Sequence, residues 1–156
     1  MSQAPPDFDR FFADYAAAFN RSLGERVDVE PTSGAFTARF LHASPAGVQT
    51  GSNDASFRDG LVQGYAFYRQ IGTKRMSVRR VEAQPLDPLH HQVRVFWRAE
   101  YDKPGTPEPV VIDFDVVYLL QTLPGDQPKI FAYIAGDEMA ELKKHGLIPK
   151  DAKPPH

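Results

Sequence analysis

His42 is the only side chain between Glu30 and Asp54 whose ordinary pKa lets it exchange protons near neutral pH. It follows Phe40-Leu41 and precedes the small-residue turn Ala43-Ser44-Pro45-Ala46-Gly47, so it can line a pocket as a general base or serve as a hydrogen-bonded structural histidine. Tyr15, Tyr65, Tyr68, Trp97, Tyr101 and Tyr118 fall on faces expected to converge. Together they offer aromatic walls with polar tips, suited to a small apolar or aromatic molecule, or else simply core. Arg94, Arg98, Asp113 and Asp115 can form either an acid–base cluster or a cross-strand ladder of ion pairs.

Other chemistries find no support. His90-His91 has no ligand spacing, because adjacent strand residues point to opposite faces and no third ligand lies near, so no bound metal is expected. Lys74, Arg75, Arg79 and Arg80 alternate with Met76, Val78 and Val81 over both faces, without the interleaved aromatics that stack on bases, so nucleic acid is not expected as a partner. The chain has no glycine-rich dinucleotide or phosphate loop, no Gly-x-Ser-x-Gly elbow and no His-Glu-x-x-His, and no cofactor is expected.

The elements that must position these residues are legible from periodicity. Phe8, Phe11, Phe12, Tyr15, Phe19 and Leu23 share one helical face, with Asp7 before them and Gly24 as a stop. Phe36, Phe40 and Leu41 suggest a second helical stretch over 33–40, broken at Pro45–Gly47 before a short extended piece, Val48–Thr50. Ser52-Asn53-Asp54 caps a helix with the face Phe57, Leu61, Tyr65 and Tyr68, ending near Gly72. Arg75–Gln84 reads as extended, with a turn at Pro85-Leu86-Asp87-Pro88. Three strands follow, Gln92–Tyr101, Val110–Gln121 and Lys129–Ala135, joined by hairpin-length loops, and a capped helix closes the chain at Asp137–His145.

Two alternations fix the inner face of the sheet. Val93, Val95, Trp97, Ala99 and Tyr101 form one set; Val110, Ile112, Phe114, Val116, Tyr118 and Leu120 form its counterpart on the next strand. Pairing Tyr101 with Val110 sets Arg98 opposite Asp113 and Phe96 opposite Asp115, with every apolar partner on the other face. The outer face carries Phe96, Val111, Val117 and Leu119 among its charges, which calls for a second copy of the chain as a homodimer partner.

Composition sets the frame. With 18 Lys plus Arg against 20 Asp plus Glu, no global field draws the chain to nucleic acid or to an anionic membrane. The 156 residues suit one domain over residues 7–148, with tails at 1–6 and 149–156. No membrane span is expected. Met1–Arg10 lacks the basic and apolar run of a signal peptide, so a cytoplasmic location is expected. Absence of cysteine removes disulfides and thiolate chemistry.

Several passages resemble the nuclear-transport-factor-2-like superfamily and, within it, the SnoaL-like or ketosteroid-isomerase-like proteins. They are the first helix, Phe40-Leu41-His42-Ala43-Ser44-Pro45, the helix Phe57–Gly72, the strands Val93-Arg94-Val95-Phe96-Trp97 and Phe114-Asp115-Val116-Val117-Tyr118, and the closing Ile130-Phe131-Ala132-Tyr133. The resemblance implies an α+β fold, a cone with a curved, mainly antiparallel sheet wrapped around N-terminal helices and a pocket between them, commonly a homodimer. It also implies a range of functions from isomerases, dehydratases and epoxide hydrolases to binding without catalysis. The chain departs from the family's catalytic patterns: the segment that holds a ketosteroid isomerase's basic acid offers only His42, the match to its oxyanion acid is Asp115, which the alternation turns outward, and Ile130–Ala135 has no acid for an epoxide hydrolase. Three readings follow: a pocket protein that binds a small apolar or aromatic molecule, an isomerase or dehydratase using His42 as base with Tyr15 or Tyr118 steadying negative charge, and a dimeric interaction module whose pocket is filled by its own side chains.

Overall fold

A computed structural model describes residues 5–24 and 26–153. Its first helix, α1 (Phe8–Ser22), starts where the Asp7 carboxylate accepts the Arg10 backbone N–H at 3.0 Å. Phe8, Phe12 and Ala16, one stripe of that helix, are buried. A single turn, α2 (Glu30–Ser33), leads into strand β1 (Phe36–Ser44), which hairpins into β2 (Gly47–Ser52). Helix α3 (Ala55–Gln70) is capped by Asp54, whose side chain accepts the Phe57 N–H. Strands β3 (Thr73–Asp87), β4 (His90–Tyr101), β5 (Val110–Gln121) and β6 (Lys129–Ile134) follow, and α4 (Glu138–Lys144) closes the fold.

The six strands form one curved, unclosed sheet in the order β2-β1-β6-β5-β4-β3, antiparallel except for the β1–β6 pair. The β4–β5 register is the one the alternation demands: Tyr101 faces Val110, Arg98 faces Asp113 and Phe96 faces Asp115. Val93, Val95, Trp97, Ala99 and Tyr101 are all buried on the concave side, the first three among Phe8, Phe12 and Ala16 of α1, the last two with Leu142 of α4 and Ile148. Asn20 fixes that helix on the sheet, donating to the Met76 carbonyl and accepting the Met76 N–H, both at 2.8 Å. On the other face Arg98 grips Asp113 through two hydrogen bonds of 2.8 and 3.0 Å, and Arg94 pairs with Asp115. The four residues are a solvated ion-pair ladder, so the acid–base alternative falls, and exposed pairs of this kind contribute about 0–1 kcal/mol each.

Two expectations need correction. Residues 36–44 form a strand, not a continuation of the helix expected over 33–40. A four-residue spacing such as Phe36–Phe40 puts both rings on one face of a helix or of a strand alike, and the free edge of β6 settles the choice by pairing with β1. The expected turn at 85–88 lies later, at Pro88-Leu89, because β3 is an edge strand and tolerates Pro85 within it.

Helix α3 hands over to β3 through Gly72, at φ +87°, whose carbonyl accepts the Asp102 N–H at 2.8 Å; a Cβ there would collide with the Asp102 carbonyl oxygen. Pro149–Ala152 form a turn, and Ala152 packs near Ile148; of the tails expected at 1–6 and 149–156, residues 1–4 and 154–156 lie outside the described residues. No helix among the described residues is long and apolar enough to cross a membrane.

Candidate functional site

Two clusters fill the concave side. One is centred on Phe12, Trp97, Tyr118 and Leu120, the other on Tyr101, Ile112, Leu142 and Ile148, and Met76 and Phe114 pack against both. Where they meet, an inner cavity of about 240 Å3 remains. Its wall is largely aromatic, with Tyr15 and Phe19 from α1, Tyr68 from α3, Trp97 from β4, Tyr118 from β5 and Tyr133 from β6. An outer groove of about 460 Å3 between β5 and α4 shares Phe114, Val116, Ala135 and Glu138 with it, so the two spaces adjoin. A larger concavity of about 600 Å3 is lined by Arg10, Asp14, Asp126 and Pro128 together with the buried Ala35 and Thr122, and Tyr15 borders both it and the inner cavity.

Among the described residues, Glu138 is the only carboxylic acid of the inner wall. It opens α4 one residue after the Asp137 cap and four before Leu142, the buried anchor of that helix, so it shares the inward face. The Tyr68 hydroxyl donates to its carboxylate, 2.7 and 2.8 Å from the two oxygens. Glu138 is an exposed residue, because cavity and groove open onto it, while the protein packed around its carboxyl displaces part of the water there. That desolvation raises its pKa above the ordinary carboxylate value, and the Tyr68 hydrogen bond opposes the rise.

The tyrosines respond to the same enclosure. Burial raises Tyr15 and Tyr68 well above the usual phenol value, and the nearby Glu138 charge adds to the effect on Tyr68. Tyr118 and Tyr133 are raised as well, again mainly by burial. All four stay protonated at neutral pH, and each hydroxyl keeps a proton that it can donate. Trp97 gives its indole N–H to the Tyr118 hydroxyl at 3.2 Å, which leaves Tyr118 its own proton to donate.

Of the residues singled out from sequence, Tyr15, Tyr68, Trp97 and Tyr118 meet around the cavity. Tyr101 borders the outer groove beside Glu138. Tyr65 sits elsewhere, buried, with its hydroxyl 3.0 Å from Thr32 Oγ1 and its ring edge-on to Phe19. His42 is half-buried and stacks on Tyr133, ring centroids 4.4 Å apart and nearly parallel at 17°; Tyr133 borders the cavity and His42 does not.

Sequence reasoning missed Tyr133 and Glu138. A bulge in β6 takes Phe131 out of register, pairing Leu119 with Ala132 but Leu120 with Ile130, so Ile130 and Tyr133 both reach the concave face and simple alternation loses its phase. For Glu138 a signal did exist: an acid at i−4 from the one apolar residue that a short amphipathic helix buries.

No family model matches this sequence, and no curated protein matches it either. Solved structures do match in shape. A ketosteroid isomerase-like protein from Erwinia carotovora atroseptica SCRI1043 aligns over 82% of this chain and 91% of its own, at TM-score 0.56 and 15% identity. An NTF-2-like protein of unknown function from Shewanella oneidensis MR-1 aligns over 83% and 96%, at TM-score 0.56 and 12% identity. A candidate scytalone dehydratase from Novosphingobium aromaticivorans DSM 12444 aligns over 81% and 78%, at TM-score 0.58 and 12% identity. Identities this low speak for architecture alone, and with the curved sheet, the helices on its concave side and the cavity between them they show that this chain has the cone-shaped fold of the ketosteroid isomerase-like and NTF-2-like structures it matches.

Proposed function

We propose that this protein binds a small apolar or aromatic molecule in the cavity between sheet and helices. One observation carries the reading: the fold leaves a space walled by aromatic rings and supplied with a few fixed polar groups, the Glu138 carboxyl and the hydroxyls of Tyr15, Tyr68, Tyr118 and Tyr133. An apolar cavity of about 150 Å3 holds a benzene. The inner space, at about 240 Å3, therefore suits one ring and a short substituent that extends into the groove. The module whose pocket is filled by its own side chains loses support, because this space is open.

Trp97 is the only tryptophan of the chain and borders the cavity, so its fluorescence reports occupancy. Titration with neutral phenylalkanols, excited where they do not absorb, should give a saturable change. Ala135→Phe, which fills the space shared by cavity and groove, should abolish it without lowering the melting temperature by more than a few degrees. A titration that fails to saturate, or that is unaltered by Ala135→Phe, contradicts the reading.

A second reading is an isomerase or dehydratase, and it rests on the raised pKa of Glu138. A carboxyl shifted towards neutrality is the better proton acceptor and donor, and the hydroxyls of Tyr118 and Tyr15 can steady negative charge on a substrate oxygen. In this reading Glu138 takes the role first given to His42, since Tyr133 stands between the imidazole and the cavity. With a substrate in hand, Glu138→Gln should lower turnover by about 10²–10⁴-fold and His42→Gln should not.

The partner we propose is a second copy of the chain. Leu41, Val111 and Ile134 are exposed on the convex face, where Val117 and Leu119 join them across β1, β6 and β5, while Arg80 and Arg94 ring them on the β3–β4 side. An apolar patch rimmed by charge is what an isologous interface needs.

A further inference from the structure

The charges around the cavity are of one sign. None of the described lysines, arginines or histidines borders the inner cavity or the outer groove. The groups that face Glu138 from the packed elements are tyrosines: Tyr15 on α1, Tyr68 on α3, Tyr101 on β4, Tyr118 on β5 and Tyr133 on β6. On its own helix the neighbouring charges are Asp137, engaged as the cap, and Glu141, whose carboxylate lies 3.7 Å from His145 Nδ1. Asp113 and Asp115 also border the groove, but arginines on the convex face balance them.

Glu138 is thus a carboxyl held by one neutral donor and facing a space with no counter-charge. Removing water from a carboxylate is costly unless a cation replaces it. The rings around it carry negative potential on their faces, which attracts a cation and repels an anion. We propose that the molecule taken by this cavity bears a cationic nitrogen, an amine or quaternary ammonium on an apolar body, seated between the Glu138 carboxyl and the aromatic faces of Trp97, Tyr15 and Tyr133. The inference rests on the reading of the cavity as a small-molecule site and names the ligand's charge. The raised pKa of Glu138 fits it: a bound cation favours the ionised carboxylate, so amine affinity increases as the pH rises through that raised value.

The test is calorimetry with three matched molecules, 4-phenylbutylamine, 4-phenylbutan-1-ol and 4-phenylbutanoate. The amine should bind about 30-fold more tightly than the alcohol, the scale of a desolvated cation–π contact, and the carboxylate weakest of the three. In Glu138→Gln that preference should fall to about threefold or less. A second measurement needs no variant: in the wild-type protein the ratio of amine to alcohol affinity should fall as the pH is lowered from 8 to 4, through the raised value of Glu138 and below the ordinary carboxylate value. Equal affinities for amine and alcohol, a preference for the carboxylate, or a ratio independent of pH overturns the assignment of a cationic ligand while leaving the pocket reading in place. Binding of none of the three overturns both.

Discussion

Replacing Glu138 with glutamine should make the protein more stable at neutral pH, and the gain should depend on pH in one direction. Desolvation raises the pKa of this carboxyl in the folded chain above its unfolded value. The folded state therefore binds the proton more tightly than the unfolded state does. Below the unfolded carboxylate value both states are protonated and Glu138 costs nothing. As the pH climbs from there through the folded value, the folded protein comes to hold a poorly solvated charge, and stability is lost. One proton bounds the slope at about 1.36 kcal/mol per pH unit inside that window, with none outside it. At this chain length each kcal/mol moves the melting temperature by about 2–4 °C. The open groove beside Glu138 screens its charge, so the observed slope must fall below that bound. Glutamine keeps an oxygen for the Tyr68 hydroxyl and removes the charge, so the two melting curves should coincide near pH 4 and separate as the pH rises, with the variant the higher. Groups common to both proteins cancel in the difference. Thermal melts by circular dichroism from pH 4 to pH 8.5, with guanidinium titrations at both ends, measure it. A variant less stable than wild type at pH 7.5, or a difference that does not change with pH, refutes the reasoning.

Leu119→Glu should weaken self-association, because an unpaired carboxylate trapped in the interface costs several kcal/mol; sedimentation of the wild type as a 17.4 kDa species alone at micromolar concentration would remove the dimer from the account. Gly72→Ala should destabilise the chain by about 2 kcal/mol or more, since the residue has φ +87° and a Cβ would strike the Asp102 carbonyl, and a loss under about 0.5 kcal/mol in denaturant titration would contradict that geometry. Phe12→Ala should cost about 3–5 kcal/mol, because Phe12 is wholly buried between α1 and the rings of Trp97 and Tyr118, and near-wild-type stability would mean that α1 does not pack as described.

The β4–β5 register could be read from the chain because two alternations had to agree, and a slip of one residue would have put Trp97 and Tyr118 on opposite faces of the sheet. Helices α1 and α3 were legible for a similar reason, each having a capping aspartate and a continuous apolar stripe. Strand β1 was not, since Phe36 and Phe40 satisfy either period and only its long-range pairing with β6 decides. The site divides along the same line. Tyr15, Tyr68, Trp97 and Tyr118 come from regular elements with one dominant period, whereas Tyr133 follows a bulge and Glu138 belongs to a helix too short to show a period. Tyr65 and Tyr68, three residues apart on α3, show the limit of stripe reasoning: both face inward, yet one is claimed by Thr32 and the other by Glu138.

The claim that the cavity is a ligand site is tested most directly by a crystal soaked with 4-(4-bromophenyl)butan-1-ol, whose bromine is located by anomalous scattering. Occupancy of the proposed site places the bromine peak among Trp97, Tyr118 and Tyr133, with density for the chain running past Glu138 into the groove between β5 and α4. A bromine found only in the outer concavity near Arg10 and Asp126, or only on the convex face of the sheet, would contradict the claim.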